Sequence, residues 1–258
     1  MTFLVIAIAL LLQRIFQIDN QIAKYDLFMT YYRWLHARFS QSSAWSGFSG
    51  VLVAVLPGLI VFTVLMTFIL HIFGWVVYYL VSLFVVWYYM DAKPLAKDLV
   101  GEVKADDVLL MSYQRIFAVI FWFAILGATG VVLYTLVASL RIELESQDSL
   151  SGSEQSMLKS TTEIEAVLDW LPLRLLGLTY ALVGEFSATF QAWSKALAGL
   201  GRTREYAAEW ALLSLGYDKS EDLIVNEGLR KTIESLINRA LIVWLVALAL
   251  FAFGHWVG

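Results

Sequence analysis

Cysteine is absent from this chain of 258 residues. Disulfide bonds and thiolate metal sites are therefore excluded, and the redox compartment cannot be read from cysteine usage. Charged residues are scarce as well, at 16% of the chain against about 25% in ordinary soluble domains. Hydrophobic residues make up 60% of the chain, so much of its surface must face something other than water. This composition predicts an integral membrane protein whose main partner is the lipid bilayer.

Several motifs that carry chemistry are also missing. The sequence contains no G-x-x-x-x-G-K-[ST] phosphate loop, no HExxH, no nucleophile elbow and no Asp-rich metal motif. We therefore expect no metal site, and the balance favours a protein that is not an enzyme. A nucleotide is the cofactor that stays open, although no motif requires one. The net charge of −4 is mild, and we expect no nucleic-acid partner.

What the sequence does contain is a series of long apolar runs separated by polar stretches. Such runs favour an all-α, polytopic transmembrane helical bundle over a barrel, whose strands show short alternation. We predict a single membrane domain over 1–258. Four clear spans are predicted at residues 51–72, 75–90, 116–140 and 240–256. The segments 2–18 and 167–191 are favoured as two further spans; the alternative is that neither crosses, and 2–18 also suits a helix lying in the membrane interface. The predicted soluble loops are 19–50, 91–115, 141–166 and 192–239.

The distribution of Lys and Arg predicts an orientation. If all six segments cross, the segments 13–50, 91–115 and 192–239 share one side and hold 15 Lys or Arg, whereas the opposite loop has only Arg141 and Lys159. The positive-inside rule then makes the rich side cytoplasmic and puts both termini outside. The acidic stretch 143–165 becomes an external loop. Residues 71–74 are expected to form the turn of a tight hairpin between the second and third spans.

The segment 167–191 is unusual because it is apolar and long but contains ionisable groups. Asp169 precedes Pro172 by three residues, a spacing typical of a helix start in which Asp169 is the cap. Charged groups within such helices persist mainly where they pair, line a cavity or take part in function. This segment is therefore the first place to look for a site.

Small and charged residues share one face of that segment, at helical spacing. They are Arg174, Gly177, Leu178, Ala181, Gly184 and Glu185. One interpretation is a packing seam between helices, in which Glu185 pairs with Lys195 or Arg115. The other is a polar pocket that binds an anionic or sugar-containing ligand, with Asp169, Arg174, Glu185 and Arg115 as candidate ligand-binding residues.

Three residues of the 116–140 span are interpreted as structural. Gly127 and Gly130 predict a close contact between helices, and Trp122 is interpreted as a packing aromatic. No catalytic residue is assigned.

Two stretches resemble a known family. They are residues 115–127, RIFAVIFWFAILG, and residues 167–175, VLDWLPLRL, the second followed by YALVG at 180–184 and AW at 192–193. Both look like the AmpE branch of the AmpE/CobD/CbiB family of bacterial membrane proteins. The resemblance implies a multi-pass protein of the bacterial inner membrane. It also implies a regulatory or signalling modulator linked to β-lactamase induction and cell-wall recycling.

The cobalamin branch of the family provides the alternative function. Its members resemble adenosylcobinamide-phosphate synthase, which forms an amide bond in an ATP-dependent reaction. They have a Glu-Asn-Thr type motif before the aromatic span. This chain has Ser112, Tyr113, Gln114 and Arg115 at that place, which lacks the acidic residue. The implied ligand of a regulator is a small molecule or a cell-wall-derived compound, and homo-oligomerisation is left open.

Overall fold

The computed structural model describes residues 2–15, 21–39, 42, 45–90, 103–147, 149–197, 203–217 and 223–257, with the backbone alone for 21–27, 29 and 255–257. Helices account for nearly all of this part of the chain. They are α1 (Thr2–Ile15), α2 (Gln21–Phe39), α3 (Gly47–Tyr89), α4 (Ala105–Ser112), a π-helical segment (Tyr113–Phe117), α5 (Ala118–Glu145), α6 (Gly152–Val183), α7 (Phe186–Ala196), α8 (Thr203–Ser214) and α9 (Glu227–Val257). The predicted all-α membrane bundle is confirmed.

The α3 segment is a helical hairpin that turns at Gly74. Gly74 has φ +75° and ψ −178°, a conformation that is open to glycine and very costly for other residues. A Cβ on Gly58 would lie 3.7 Å from Leu136, while Tyr89 hydrogen-bonds with Thr135. In a continuous helix Gly58 and Tyr89 would be about 46 Å apart, yet both meet the same turn of α5. The two arms of α3 are therefore antiparallel.

A second hairpin is formed by the π-helical segment and α5, with its turn at Gly127. Gly127 has φ +65° and ψ −154°. A Cβ on Gly130 would lie 2.5 Å from the carbonyl oxygen of Trp122, although a continuous helix would separate these residues by about 12 Å. Gly127 also lies beside the Tyr78 hydroxyl. Both hairpins thus turn at one end of the bundle, the turn end, and the expected straight crossing at 116–140 folds back on itself.

The opposite end of the bundle, where Lys104 and Arg141 lie, is here called the basic end. The segments 51–90, 116–140 and 240–257 contain none of the 18 Lys and Arg residues of the chain, so no Lys or Arg lies within ten positions of Gly74 or Gly127 along the sequence. Lys104 pairs with Ile224 in an isolated antiparallel bridge, which brings the residues before α9 to the basic end. Phe117 packs edge-on against Trp244 at 5.4 Å between ring centroids, so α9 runs from the basic end toward the turn end.

The start of α6 lies at the basic end too, which corrects the predicted orientation of the 141–166 loop. His36 of α2 contacts the Glu154 carboxylate at 2.9 Å, and Met157 lies in one apolar cluster with Tyr32 and Trp45. The stretch predicted to be external therefore packs against the basic segment 19–50. Counting charges on straight crossings missed this arrangement because the turn at Gly127 reverses the chain.

The N-terminus of α6 is also earlier than predicted. Ser151 caps the helix by accepting from the Glu154 backbone N–H, while the Glu154 side chain accepts from the Ser151 backbone N–H. This capping box satisfies two N–H groups that a helix start leaves unpaired. Asp169 is consequently in the middle of a helix and is not its cap, and residues 152–166 are helical where a soluble loop was expected.

The predicted span 167–191 is divided between two helices. α6 ends at Gly184, whose φ of −128° and ψ of −144° are not helical, and a Cβ there would overlap Ser214 of α8. Gly177 lies against the Trp210 and Trp193 rings, where a Cβ would also overlap. The chain then returns in α7, whose last turn reaches Arg174. The α6, α7 and α8 helices therefore form one packed unit.

Other predicted loops contain helices as well. The loop 19–50 holds α2, the loop 91–115 holds α4, and the loop 192–239 holds α8 and the first three turns of α9. Charged residues interrupted the apolar pattern in each of them without interrupting the helix. Residues 16–18 of the predicted first span and residues 91–102 lie outside the described residues.

Four helical segments are long and apolar enough to cross a membrane by length and composition. They are Gly47–Tyr89, Ala105–Glu145, Gly152–Val183 and Glu227–Gly254, and Thr2–Ile15 is a shorter apolar helix.

Candidate functional site

Asp169 is the centre of a buried polar cluster at the basic end. Its side chain is inaccessible to solvent. The Tyr113 hydroxyl donates to Oδ1 at 2.7 Å and the Tyr134 hydroxyl donates to the same oxygen at 2.9 Å. Arg204 Nε donates to Oδ2 at 2.8 Å. The carboxylate is thus held by both arms of the α5 hairpin and by α8.

Glu165 extends the cluster by one helical turn. It is also fully buried and lies on the same face of α6 as Asp169, four residues earlier. Arg141 Nε donates to Oε2 at 2.6 Å, Gln114 Nε2 donates to Oε1 at 3.4 Å, and Arg204 forms an ion pair with Oε1. Arg204 therefore bridges the two carboxylates.

The cluster balances two buried carboxylates against two guanidinium groups. Removing charges from water costs several kcal/mol per ion, and that cost is offset only where pairing and hydrogen bonding are nearly complete. Burial lowers the pKa of the Arg204 guanidinium, but Glu165 and Asp169 together raise it above its ordinary value. Arg204 therefore stays charged, and its loss would leave both carboxylates short of a partner.

The π-helical segment allows consecutive residues to contact different carboxylates. Tyr113 and Gln114 both belong to it, and they reach Asp169 and Glu165 respectively. A π-turn widens the helix and changes the direction of the side chains after it, and such turns are frequent at functional sites. Both residues donate hydrogen bonds to acidic residues of α6.

Arg174 has a different set of partners, which include backbone carbonyls at the end of α7. Its Nε donates to the Leu197 carbonyl at 3.2 Å and its Nη2 donates to the Ala196 carbonyl at 3.2 Å. Its guanidinium carbon also lies 4.4 Å from the centre of the Trp170 ring. Carbonyls at a helix C-terminus have no partner within the helix, so Arg174 acts as the cap of α7.

Glu185 lies at the other end of α7. It is exposed at the N-cap position, and the 11 residues of α7 separate it from Arg174 by about 16 Å. The two residues are therefore not brought together, and the polar pocket predicted between them is not formed. The packing-seam interpretation describes this face better, because Gly177 and Gly184 lie against α8.

The other residues selected from the sequence lie in three different places in the fold. Arg115 is half-buried in the π-helical segment beside Tyr113 and Gln114. Pro172 is buried inside α6. Gly127, Gly130 and Trp122 build the turn of the α5 hairpin and lie at the other end of the bundle.

Sequence reasoning missed most of the cluster. The missed residues are Tyr113, Gln114, Tyr134, Arg141, Glu165 and Arg204. The spacing of Glu165 and Asp169 was a usable signal, because two carboxylates four residues apart repel each other on a helix unless cations lie nearby. No local pattern points to Arg204, which is 35 positions from Asp169.

The described residues contain no group of three or more His, Asp or Glu side chains that could hold a metal ion. A separate cleft of about 340 Å³ lies between α7 and α8 and is lined by Gln191, Lys195, Tyr206 and Glu209 among others. It does not include the carboxylates of the cluster. Both carboxylates of the cluster are buried and paired with guanidinium groups.

Comparisons with known proteins agree with these features. A family model described as "Regulatory signalling modulator protein AmpE" matches residues 89–257. Two curated relatives, both named "Cobalamin biosynthesis protein CobD", come from Stutzerimonas stutzeri and Chromobacterium violaceum. Each is 30% identical over 107 residues, which are 40% of this chain and 33% or 32% of the relative. The chain thus matches about a third of the length of these relatives, and no solved structure matches it.

The family match covers α4 to α9 and therefore the whole of the buried cluster. The chain belongs to the AmpE family of regulatory signalling modulators.

Proposed function

We propose that this protein is a regulatory signalling modulator of the bacterial inner membrane that acts in β-lactamase induction and cell-wall recycling. The observation that carries the proposal is that Glu165 and Asp169 form ion pairs with Arg141 and Arg204. Every oxygen of the two carboxylates accepts from a side chain of the α5 hairpin or of α8. Such a cluster joins membrane helices to a peripheral helix, and it offers no free base for catalysis.

The cluster is suited to switching between two arrangements. Arg204 of α8 forms ion pairs with both Glu165 and Asp169 of α6, so one guanidinium group links α8 to both buried carboxylates. An anionic ligand that competes for Arg204 or Arg141 would release the carboxylates and shift the position of α8. A buried charge network changes its arrangement in discrete steps, because partly paired states are costly.

This mechanism also suggests the chemical class of the ligand. Arg115, Arg141 and Arg204 lie at or next to the cluster, and an anionic cell-wall-derived fragment or a nucleotide would complement them. We place the ligand at this cluster and not between Arg174 and Glu185.

The second candidate function is a membrane enzyme that forms an amide bond in an ATP-dependent reaction. It is favoured by the two curated relatives, whose names refer to cobalamin biosynthesis. The position of Asp169 at the basic end is compatible with a nucleotide from the cytoplasm. The saturation of both carboxylates is less favourable, since neither can bind a metal or a proton without losing its partners.

A genetic experiment tests the regulatory function. Deletion of the gene, in a host that has the rest of the induction pathway, should change the inducibility of β-lactamase. The wild-type chain should restore it, and Arg204→Met should fail to do so while still being present in the membrane. Lys231→Ala, on an exposed part of α9, is the control and should restore induction fully.

Unchanged inducibility in the deletion strain would overturn the regulatory proposal. The enzyme alternative has its own test, which is turnover of ATP by the purified protein in the presence of a corrinoid acid. Turnover that Asp169→Asn abolishes, with the protein still folded, would favour the enzyme over the regulator.

A further inference from the structure

The second half of α6 contacts the first charged residue that flanks each of two uncharged segments, namely Arg141 and Arg239. Glu165 pairs with Arg141, which directly follows the uncharged stretch 116–140. At the other end of the helix, the Val183 carbonyl accepts from Arg239 Nη1 at 2.7 Å. Arg239 directly precedes the uncharged stretch 240–257. Both ends of this half of α6 therefore lie next to a membrane boundary.

The two boundaries are on the same side of the bundle. Arg141 is on the arm of α5 that leads from Gly127 back to the basic end. Arg239 follows the part of α9 that begins beside Lys104, since the Ala105 N–H donates to the Leu223 carbonyl at 2.9 Å. Residues 165–183 extend about 27 Å, which is close to the thickness of the hydrocarbon core, but their two ends do not reach opposite faces.

We propose that α6 does not cross the membrane but lies along its cytoplasmic surface, with an apolar stripe in contact with the lipids of that leaflet. The stripe consists of Val167, Leu171, Leu175 and Leu182, which share one side of α6 and are exposed in the fold. Val167 is 67% exposed and Leu182 is 61% exposed. The opposite side of the helix holds Asp169 and Glu165.

The stripe continues into α7, which supports lipid as its occupant. Phe186 and Phe190 stack at 5.2 Å between ring centroids and are both exposed. Amphipathic helices with aromatic and aliphatic residues on one side bind in the interface of a bilayer. Ile242 and Val246 on α9 are exposed just beyond Arg239, so the apolar surface is continuous with that of a helix that enters the membrane.

This arrangement removes the difficulty that charges within α6 would pose for a crossing helix. Asp169, Glu165 and Arg174 face the protein at the membrane surface, where polar groups from α8 and α7 meet them. The orientation also satisfies the positive-inside rule better than six straight crossings, because Arg141 and Lys159 join the basic end. The inference concerns the placement of α6 and does not depend on the proposed regulatory function.

The absence of native cysteine makes a labelling experiment direct. Ser156 lies near the start of α6 and Ser187 near the start of α7, 31 positions apart, and both serines are exposed; each is replaced by cysteine. With a membrane-impermeant maleimide, both should be labelled in inside-out vesicles and neither in intact cells. Labelling of one from each side would show that α6 crosses, and labelling of both from outside would reverse the orientation; either result overturns the proposal.

A second measurement tests the lipid contact itself. A nitroxide at Leu171→Cys, in vesicles of phosphatidylethanolamine and phosphatidylglycerol, should collide with oxygen more than with a water-soluble nickel chelate. Thr162→Cys is the matched control, an exposed polar residue nine positions before Leu171 and therefore on the opposite side of α6, and it should show the opposite preference. Equal nickel accessibility at the two positions, or spin–spin broadening at Leu171→Cys from a second copy of the chain, would overturn lipid as the occupant.

Discussion

The buried charged side chains of α6 find their hydrogen-bond partners in two different ways within three turns of the same helix. Asp169 and Glu165 are paired with side chains from three other segments of the chain. Arg174, five residues after Asp169, donates to backbone carbonyls at the end of α7. The first arrangement depends on how the helices sit relative to one another, whereas the second depends mainly on the α6–α7 turn.

This difference separates the site at which we propose coupling, here called the coupling site, from a structural one. Side-chain ion pairs between helices are lost when a helix moves, so the pairing in the Asp169 cluster depends on the position of α8. Carbonyl capping by Arg174 is retained as long as α7 stays folded against α6. Both sites bury charge, and both looked alike in the sequence, where each is an ionisable residue in an apolar run.

The largest expected effect is on the coupling site. Arg204→Met leaves Glu165 and Asp169 without their shared partner, which should lower the free energy of unfolding by about 3–5 kcal/mol. Denaturant titration in detergent, followed by circular dichroism, measures the loss. The combined variant Glu165→Gln, Asp169→Asn and Arg204→Met should recover part of the loss, because no unpaired charge remains; a combined variant less stable than Arg204→Met would show that the cost is not one of uncompensated charge.

An intermediate effect is expected at the structural site. Arg174→Met removes the donors that cap α7, at a cost of about 1–3 kcal/mol for carbonyls left without a partner. The same titration should show a smaller loss than for Arg204→Met. In the induction assay Arg174→Met should retain function once the protein is folded, and loss of function equal to that of Arg204→Met would remove the distinction between the two sites.

The smallest effect is expected for a charge outside both sites. Lys231 is exposed and pairs with Glu227 at 3.6 Å on the same helix. Water and salt screen such a pair, so Lys231→Ala should leave the unfolding midpoint unchanged within error. A clear shift would mean that the surface charges of α9 take part in the packing and that the other two losses were not specific.

The fold class was predictable because a chain with 60% hydrophobic residues has more apolar surface than a soluble protein can bury. The apolar runs identified the two arms of α3 and the membrane part of α9, and the break near Gly74 followed from His71 and Gly74, which interrupt the run. The turn at Gly127 was not predictable in the same way. A single glycine between two apolar helical arms looks like one of the small residues that ordinary membrane helices use for packing.

The candidate site was only partly predictable. Asp169 was selected because a carboxylate is out of place in an apolar helix, and that reasoning holds wherever the helix lies. Its role was not accessible, since Tyr113, Tyr134 and Arg204 meet it only after two hairpins and α8 have been packed. The prediction that Arg174 and Glu185 lie on one face of a single helix was wrong, because α6 ends at Gly184, between the two residues.

The amino-acid sequence by itself determined that this protein is a helical membrane protein and that charge is concentrated away from three uncharged segments, because the hydrophobic effect acts on composition and local runs. Tertiary structure alone decided which charges meet. Hairpin turns at Gly74 and Gly127 return the chain to the basic end, and the position of a side chain within a bundle depends on such reversals and not on its place along the chain. The carboxylates that seemed misplaced in an apolar helix thereby become the paired core between α5, α6 and α8.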